Sequence, residues 1–113
     1  MIKRSNPGNG YGVASTGKAS RAPLVLIVDD DDSLRLLCRV NLELDGYRVE
    51  EAPSVAAAED ALAREPVDLI LLDVHVGPDD GLALMRSLRA RGHGASVVLF
   101  TGSARLDAPT IAE

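Results

Sequence analysis

Leu24-Val25-Leu26-Ile27-Val28-Asp29-Asp30-Asp31 is the stretch that decides the fold. Five apolar residues run without polar alternation and stop at a block of acids. A strand with one wet face alternates, whereas an unbroken run of this length suits a strand covered on both faces, as in a parallel sheet. A helix should follow. Asp31 or Asp32 can cap it, and apolar residues recur at Leu34, Leu37, Cys38 and Leu42. Asp45-Gly46 closes that helix, because glycine readily takes the left-handed conformation found at helix ends.

Outward from this unit the pattern repeats. Tyr47–Ala52 reads as a second, partly polar strand at a sheet edge, and Ser54 caps an Ala-rich helix that Pro66 stops. Asp68–Asp73 is a third strand, again apolar and again ending in an acid. Gly77-Pro78 sits in a loop leading to Asp80, which caps a helix from about Gly81 to Arg91. Gly92-His93-Gly94 is a turn with His93 in solvent, Ser96–Phe100 is the fourth strand, and a short helical start follows from about Ala104. The order βαβαβαβ predicts an α/β fold, a doubly wound parallel sheet with helices on both faces. Such sheets bind ligands beyond the carboxyl ends of their strands.

The 113 residues suffice for one domain, with residues 23–113 as the folded part. Residues 1–22 hold Lys3, Arg4, Lys18 and Arg21 with no acid, and read as a disordered Gly/Ser-rich tail. All 17 acidic residues lie at Asp29 or later, against eight basic ones there. An acidic domain of this kind is not expected to bind nucleic acid, and it suits a divalent cation. Gly12–Ala19 nearly matches a phosphate-binding loop. Ala19 stands where the hydroxyl for the metal belongs, and no strand precedes the loop. Cys38 is the single cysteine, so no internal disulfide forms. It reads as a small buried hydrophobe in a reducing, cytoplasmic setting. The apolar runs are too short to span a membrane, and none is expected as a partner.

Three of the four strands end in polar groups: Asp29-Asp30, Asp73 and Thr101. A parallel sheet brings those ends to one rim, where the carboxylates repel and a hard, oxygen-liganded cation such as Mg²⁺ relieves them. A carboxylate beside such an ion is well placed to take a phosphoryl group.

The blocks Leu26–Asp31, Leu69–Val74, Asp80-Gly81-Leu82 and Val97–Gly102 together resemble the receiver domain of bacterial response regulators in two-component signalling. The resemblance covers roughly residues 24–105 and implies the flavodoxin-like receiver fold with strand order 2-1-3-4. It implies Asp73 as the phosphoacceptor, Asp30 as a direct Mg²⁺ ligand with Asp29 assisting, and the His75 backbone carbonyl as a further ligand. Thr101 matches the phosphoryl-sensing hydroxyl, and Gly102 the small residue beside it. The implied partners are a sensor histidine kinase or phosphotransfer protein and a downstream protein target, and the implied role is that of a phosphoacceptor, not a turnover enzyme. The family has proline where Gly77 stands. It also has a fifth strand, ending in a lysine, and a fifth helix. Here only Lys3 and Lys18 are present, and twelve residues follow Thr101, so the resemblance implies a receiver incomplete at its C-terminus. Such a receiver would expose one edge of Ser96–Phe100, leave Val97 and Leu99 short of cover, and favour a homodimer through that edge. The alternative is a degenerate receiver that acts as a phosphorylation-independent interaction or dimerisation module.

Overall fold

The computed structural model describes residues 21–100. Its elements in chain order are β1 (Leu24–Val28), α1 (Asp32–Leu44), β2 (Arg48–Ala52), α2 (Val55–Arg64), β3 (Leu69–Asp73), β4 (His75–Val76), β5 (Asp79–Asp80), α3 (Gly81–Ala90) and β6 (Ser96–Phe100). The main sheet has four parallel strands in the order β2-β1-β3-β6. This is the expected 2-1-3-4 order, with two short strands inserted before the last. The proposed tail, the Gly12–Ala19 stretch, Thr101, Gly102 and the helical start near Ala104 lie outside the described residues, apart from Arg21 and Ala22 at the tail's end.

β1 forms the spine because every one of its side chains finds apolar cover. Leu24, Leu26 and Val28 face a core shared with Ala58 and Ala61 of α2 and Leu84 and Leu88 of α3. Val25 and Ile27 face the opposite way, toward Cys38 and Leu42 of α1. Cys38 is only partly buried, and burial, with the charge of Asp29 adding to it, pushes its thiol up from the ordinary value. A thiol held protonated in this way is a packing group and a poor nucleophile.

Local signals set the helix ends. Asp31 caps α1, accepting from the Ser33 N–H at 2.9 Å and the Leu34 N–H at 3.1 Å. The other end is a Schellman turn. Gly46 takes φ +94°, the Gly46 N–H donates to the Glu43 carbonyl, and the Tyr47 N–H donates to the Leu42 carbonyl. Ser54 caps α2 and Asp80 caps α3.

Four expectations need correction. Residues 75–80 are a two-stranded antiparallel hairpin instead of an open loop, with His75 opposite Asp80 and Val76 opposite Asp79. Gly77 has φ +61° as the first turn residue, a conformation closed to proline, so proline at 78 takes over the turn. Leu37 is 60% exposed and does not join Leu34, Cys38 and Leu42. Those three, at four-residue spacing, are partly buried, while Arg35 and Arg39 on the flank toward β2 pair with Glu51 and Leu37 lies on the flank away from that contact. On β6, Val97 and Leu99 pack against the larger core, and it is Val98, on the α1 face, that stands 48% exposed. Side chains alternate along a strand, so Val97 and Leu99 share one face of β6 and Val98 takes the other. His93 is half-buried, and its Nδ1 accepts from the Ala95 N–H at 3.1 Å.

Gly81 fixes how α3 meets β3. Its N–H donates to the Val74 carbonyl at 2.8 Å, and a Cβ added there would overlap the Asp73 carbonyl oxygen. Gly81→Ala is expected to cost more than about 2 kcal/mol in urea denaturation, because backbone must move at a junction tied on both sides. Gly46→Ala, where the added Cβ meets open space and only the positive φ objects, should cost about 1 kcal/mol. Equal losses in the two variants would show that the close approach at Gly81 is unimportant.

Candidate functional site

The carboxyl rim of the sheet gathers the acids that the sequence placed at strand ends. Asp29 follows β1 and its N–H bonds the Ala52 carbonyl of β2 at 3.1 Å, so the ladder carries its backbone one residue past the strand. Asp30 begins the turn into α1, and Asp73 is the last residue of β3. Ligand-capable oxygens of Asp29, Asp30 and Asp73 all lie within 4.8 Å of one another. They line a cleft of about 310 Å³ together with Asp31, Leu34, His75 and Gly77.

Burial separates their roles. Asp29 is 1% exposed and Asp73 5%, while Asp30 is open to solvent. Asp29 Oδ1 accepts from the Asp31 N–H at 2.9 Å, and Asp73 Oδ1 accepts from the His75 N–H at 3.2 Å. Asp29 Oδ2 is buried and has no partner. Its neighbour is the Asp73 carboxylate, and two ionised carboxylates offer each other no donor. Burial pushes the Asp29 carboxyl up to about 6. The hydrogen bond from Asp31 opposes this, and the negative charges of Asp73 and Asp30 add to it. An orphaned buried oxygen among three acids is the donor set of a hard divalent cation, and it fits Mg²⁺.

The hairpin completes the cleft. It holds His75 beside Asp73, and Asp79 Oδ2 accepts from the Val55 N–H at 3.2 Å, which ties the hairpin to the start of α2. Asp80, expected as a cap, caps α3 and is not among the acids brought together. Thr101 and Gly102, which follow β6, lie outside the described residues. Sequence reasoning missed Arg35, whose Nη1 donates to the Asp29 carbonyl at 2.6 Å. The only advance signal was a basic residue on the first turn of α1 able to reach the acid turn.

A parallel sheet in this strand order with a three-carboxylate rim defines the receiver class of signalling domain. The family model for the response regulator receiver domain matches residues 25–112, and the chain belongs to that family. It is 41% identical over 85 residues to the transcriptional regulatory protein AruR of Pseudomonas aeruginosa, covering 71% of this chain and 34% of AruR. The chain thus spans about a third of that relative's length. Among solved structures it is similar to the response regulator TrrA of Thermotoga maritima in complex with Mg²⁺ and BeF, at 26% identity and TM-score 0.67, over 75% of this chain and 76% of that one. It is also similar to a Burkholderia pseudomallei response regulator with a phosphorylated aspartic acid, calcium ion and citrate, at 28% identity and TM-score 0.67, over 74% of this chain and 49% of that one. Among the described residues no helix is long and apolar enough to cross a membrane.

The raised Asp29 carboxyl gives a signed pH prediction for the metal-free protein. Folded, it titrates near 6, and its ordinary value is 3.8. Between those values the folded state holds a proton that the unfolded state has released, so this group's contribution falls as pH rises through the window. Asp29→Asn should therefore stabilise the metal-free protein at pH 7 by on the order of 2 kcal/mol, and by much less near pH 4.5. Urea denaturation at the two pH values measures the difference. A gain independent of pH would show that the buried charge is not its source.

Proposed function

We propose that this chain takes a phosphoryl group from a histidine kinase or phosphotransfer protein onto Asp73 and signals through protein contacts. The observation that carries this reading is the unpartnered, buried Asp29 Oδ2 facing Asp73, within a cluster that Asp30 completes. Asp29, Asp30, Asp73 and the backbone carbonyl of His75 would hold Mg²⁺. When bound, Mg²⁺ would neutralise charge on the carboxylates and on the transferring phosphoryl oxygens.

The chain's own residues do the rest. A carboxylate oxygen of Asp73 attacks phosphorus, the phosphorus–nitrogen bond of a phosphohistidine breaks, and the imidazole leaves with the bonding electron pair and takes up a proton. The product is an acyl phosphate on Asp73. The His75 N–H holds Asp73 Oδ1 and orients the carboxylate. Gly81 lets α3 approach the Asp73 carbonyl and keeps the acceptor at a fixed depth. Thr101 is assigned the hydroxyl that senses the phosphoryl group, with Gly102 leaving room for it. The chain acts as a phosphoacceptor and not as a turnover enzyme, in the cytoplasm, with residues 1–22 as a tail and residues 23–113 as the receiver.

A second reading, a phosphorylation-independent interaction or dimerisation module, draws on the uncharged β6 and on exposed apolar side chains of α1 and β6. Leu37, Leu44 and Val98 are all solvent-facing, and a second copy could pair along β6. The two readings part on Mg²⁺ and beryllofluoride, which should change the amide spectrum around the acid rim only under the first.

Labelling with a small phosphodonor and Mg²⁺ should give an alkali-labile phosphoprotein, and Asp73→Asn should abolish it. Equal labelling in that variant would place the acceptor elsewhere.

Calorimetric Mg²⁺ titration should separate Asp30 from Asp31. Loss of residues merely supporting a ligand lowers metal affinity about tenfold or more, so Asp30→Ala should lose at least that much. Asp31→Ala removes a cap worth about 1 kcal/mol and should leave the affinity near wild type. Equal affinity losses in both would contradict the assignment.

A further inference from the structure

Arg35 sits in the first turn of α1, on the flank that faces β2. Its guanidinium binds three acceptors from three different places in the fold. Nη1 donates to the Asp29 backbone carbonyl at 2.6 Å, Nε to Glu51 Oε1 on β2 at 2.9 Å, and Nη2 to Asp32 Oδ1 at the start of α1. The side chain is only 11% exposed. Arg39, one turn further on, shares the same partner. Its Nη1 meets Glu51 Oε2 at 2.6 Å and its Nε meets Glu43 at 3.0 Å, with a side chain 38% exposed. The two arginines thus join α1 to β2 alike, and they differ in the one bond that Arg35 makes to Asp29.

We propose that Arg35 is a positioning residue for the cation site, fixing the peptide that joins Asp29 to Asp30 and so the spacing of their carboxylates. This rests on the reading of the rim as a cation site. The Asp29 carbonyl belongs to that peptide, and a peptide plane turns as a unit about its flanking dihedrals. On one side the Asp29 N–H is held by the Ala52 carbonyl, and on the other the Asp31 N–H is held by Asp29 Oδ1. Arg35 holds the piece between them. Asp30 is exposed, so its carboxylate depends on the backbone beneath it for its place near Asp29 and Asp73.

The bond goes to a carbonyl and not to the carboxylates, so Arg35 acts through geometry more than through charge. Three acceptors around one planar group require the fixed fork of a guanidinium. A lysine at 35 keeps the charge and cannot reach all three. Glu51 anchors the fork from the other side, and its carboxyl is held below the ordinary value, by Arg39 first and also by Arg35. Glu51 therefore stays ionised, and the arginine stays drawn in, across the neutral range.

The test is Mg²⁺ affinity by titration calorimetry on the full chain, with melting temperature recorded alongside. Arg35→Lys is expected to weaken Mg²⁺ binding about tenfold, the scale typical of groups that orient metal ligands. Arg39→Ala loses the other Glu51 pair and is expected to lower the melting temperature while leaving Mg²⁺ affinity near wild type. Wild-type affinity in Arg35→Lys, or an equal loss in Arg39→Ala, overturns the proposal while leaving the cation site standing. If the wild-type chain itself shows no Mg²⁺ binding, the cation site falls and the proposal with it. Should Arg35→Lys not fold, Glu51→Gln serves in its place. It weakens the anchor of Arg35 and should lower Mg²⁺ affinity several-fold where Arg39→Ala does not, and unchanged affinity in Glu51→Gln overturns the proposal.

Discussion

Three carboxylates share one rim of this sheet, and the most buried of them has an oxygen with nothing to bond. That unresolved charge is the constraint on which the rest of the structure turns. Removing a carboxylate from water without a partner is costly, and a second carboxylate alongside makes it worse. A loop would relax by swinging the acids apart. Here Asp29 and Asp73 cannot, because each is tied to a strand whose side chains are packed on both faces. The apolar strength of β1 and β3 is what holds a repulsive cluster in place, and so keeps it ready for a cation or a phosphoryl group.

The junctions around the rim follow the same logic. Gly81 lets a helix come so close to the Asp73 carbonyl that no side chain fits between. The hairpin at 75–80 brings the His75 N–H to Asp73, with Gly77 turning where its positive φ excludes proline. Asp79 ties that hairpin to α2, and Arg35 ties the acid turn to β2. None of these groups is itself one of the three clustered acids. Each removes a freedom through which the cluster could spread.

Much of this was legible in the sequence, for identifiable reasons. The Leu24–Val28 run announced a strand buried on two faces, and caps at Asp31, Ser54 and Asp80 announced helices, because both signals are local. Acids at strand ends announced the rim once a parallel sheet was inferred, since topology alone brings those ends together. The failures were of two kinds, neighbours that meet across a gap and short turn contacts that carry no periodicity. Leu37 fits an apolar stripe, yet the flank of α1 that meets β2 is the one carrying Arg35 and Arg39, which pair with Glu51, and Leu37 is left 60% exposed. The hairpin was hidden because two-residue strands carry no periodicity. His93 looked solvated between two glycines, and its bond to the Ala95 N–H is a turn contact that composition does not reveal. The bond from Arg35 to the Asp29 carbonyl left only a faint signal, a basic residue on the first turn of α1, since any residue offers a carbonyl.

Among the described residues, the sheet's two outer strands differ in kind. β2 carries Arg48, Glu50 and Glu51, charges that discourage another strand from pairing there, and Glu51 also anchors α1. β6 is Ser-Val-Val-Leu-Phe with no charge at all, and it continues into the position assigned to the sensing hydroxyl, Thr101. The charged side is thus fastened to the acid turn, while the apolar side leads toward the residue that would report on Asp73. A cation held at the rim would relieve the repulsion at Asp29 and Asp73 and stabilise the folded state by an amount set by its concentration and affinity. On the β2 side, two arginines of α1 share the Glu51 carboxylate. On the other side, the Val74 N–H donates to the Phe100 carbonyl at 2.8 Å across the end of the β3–β6 ladder.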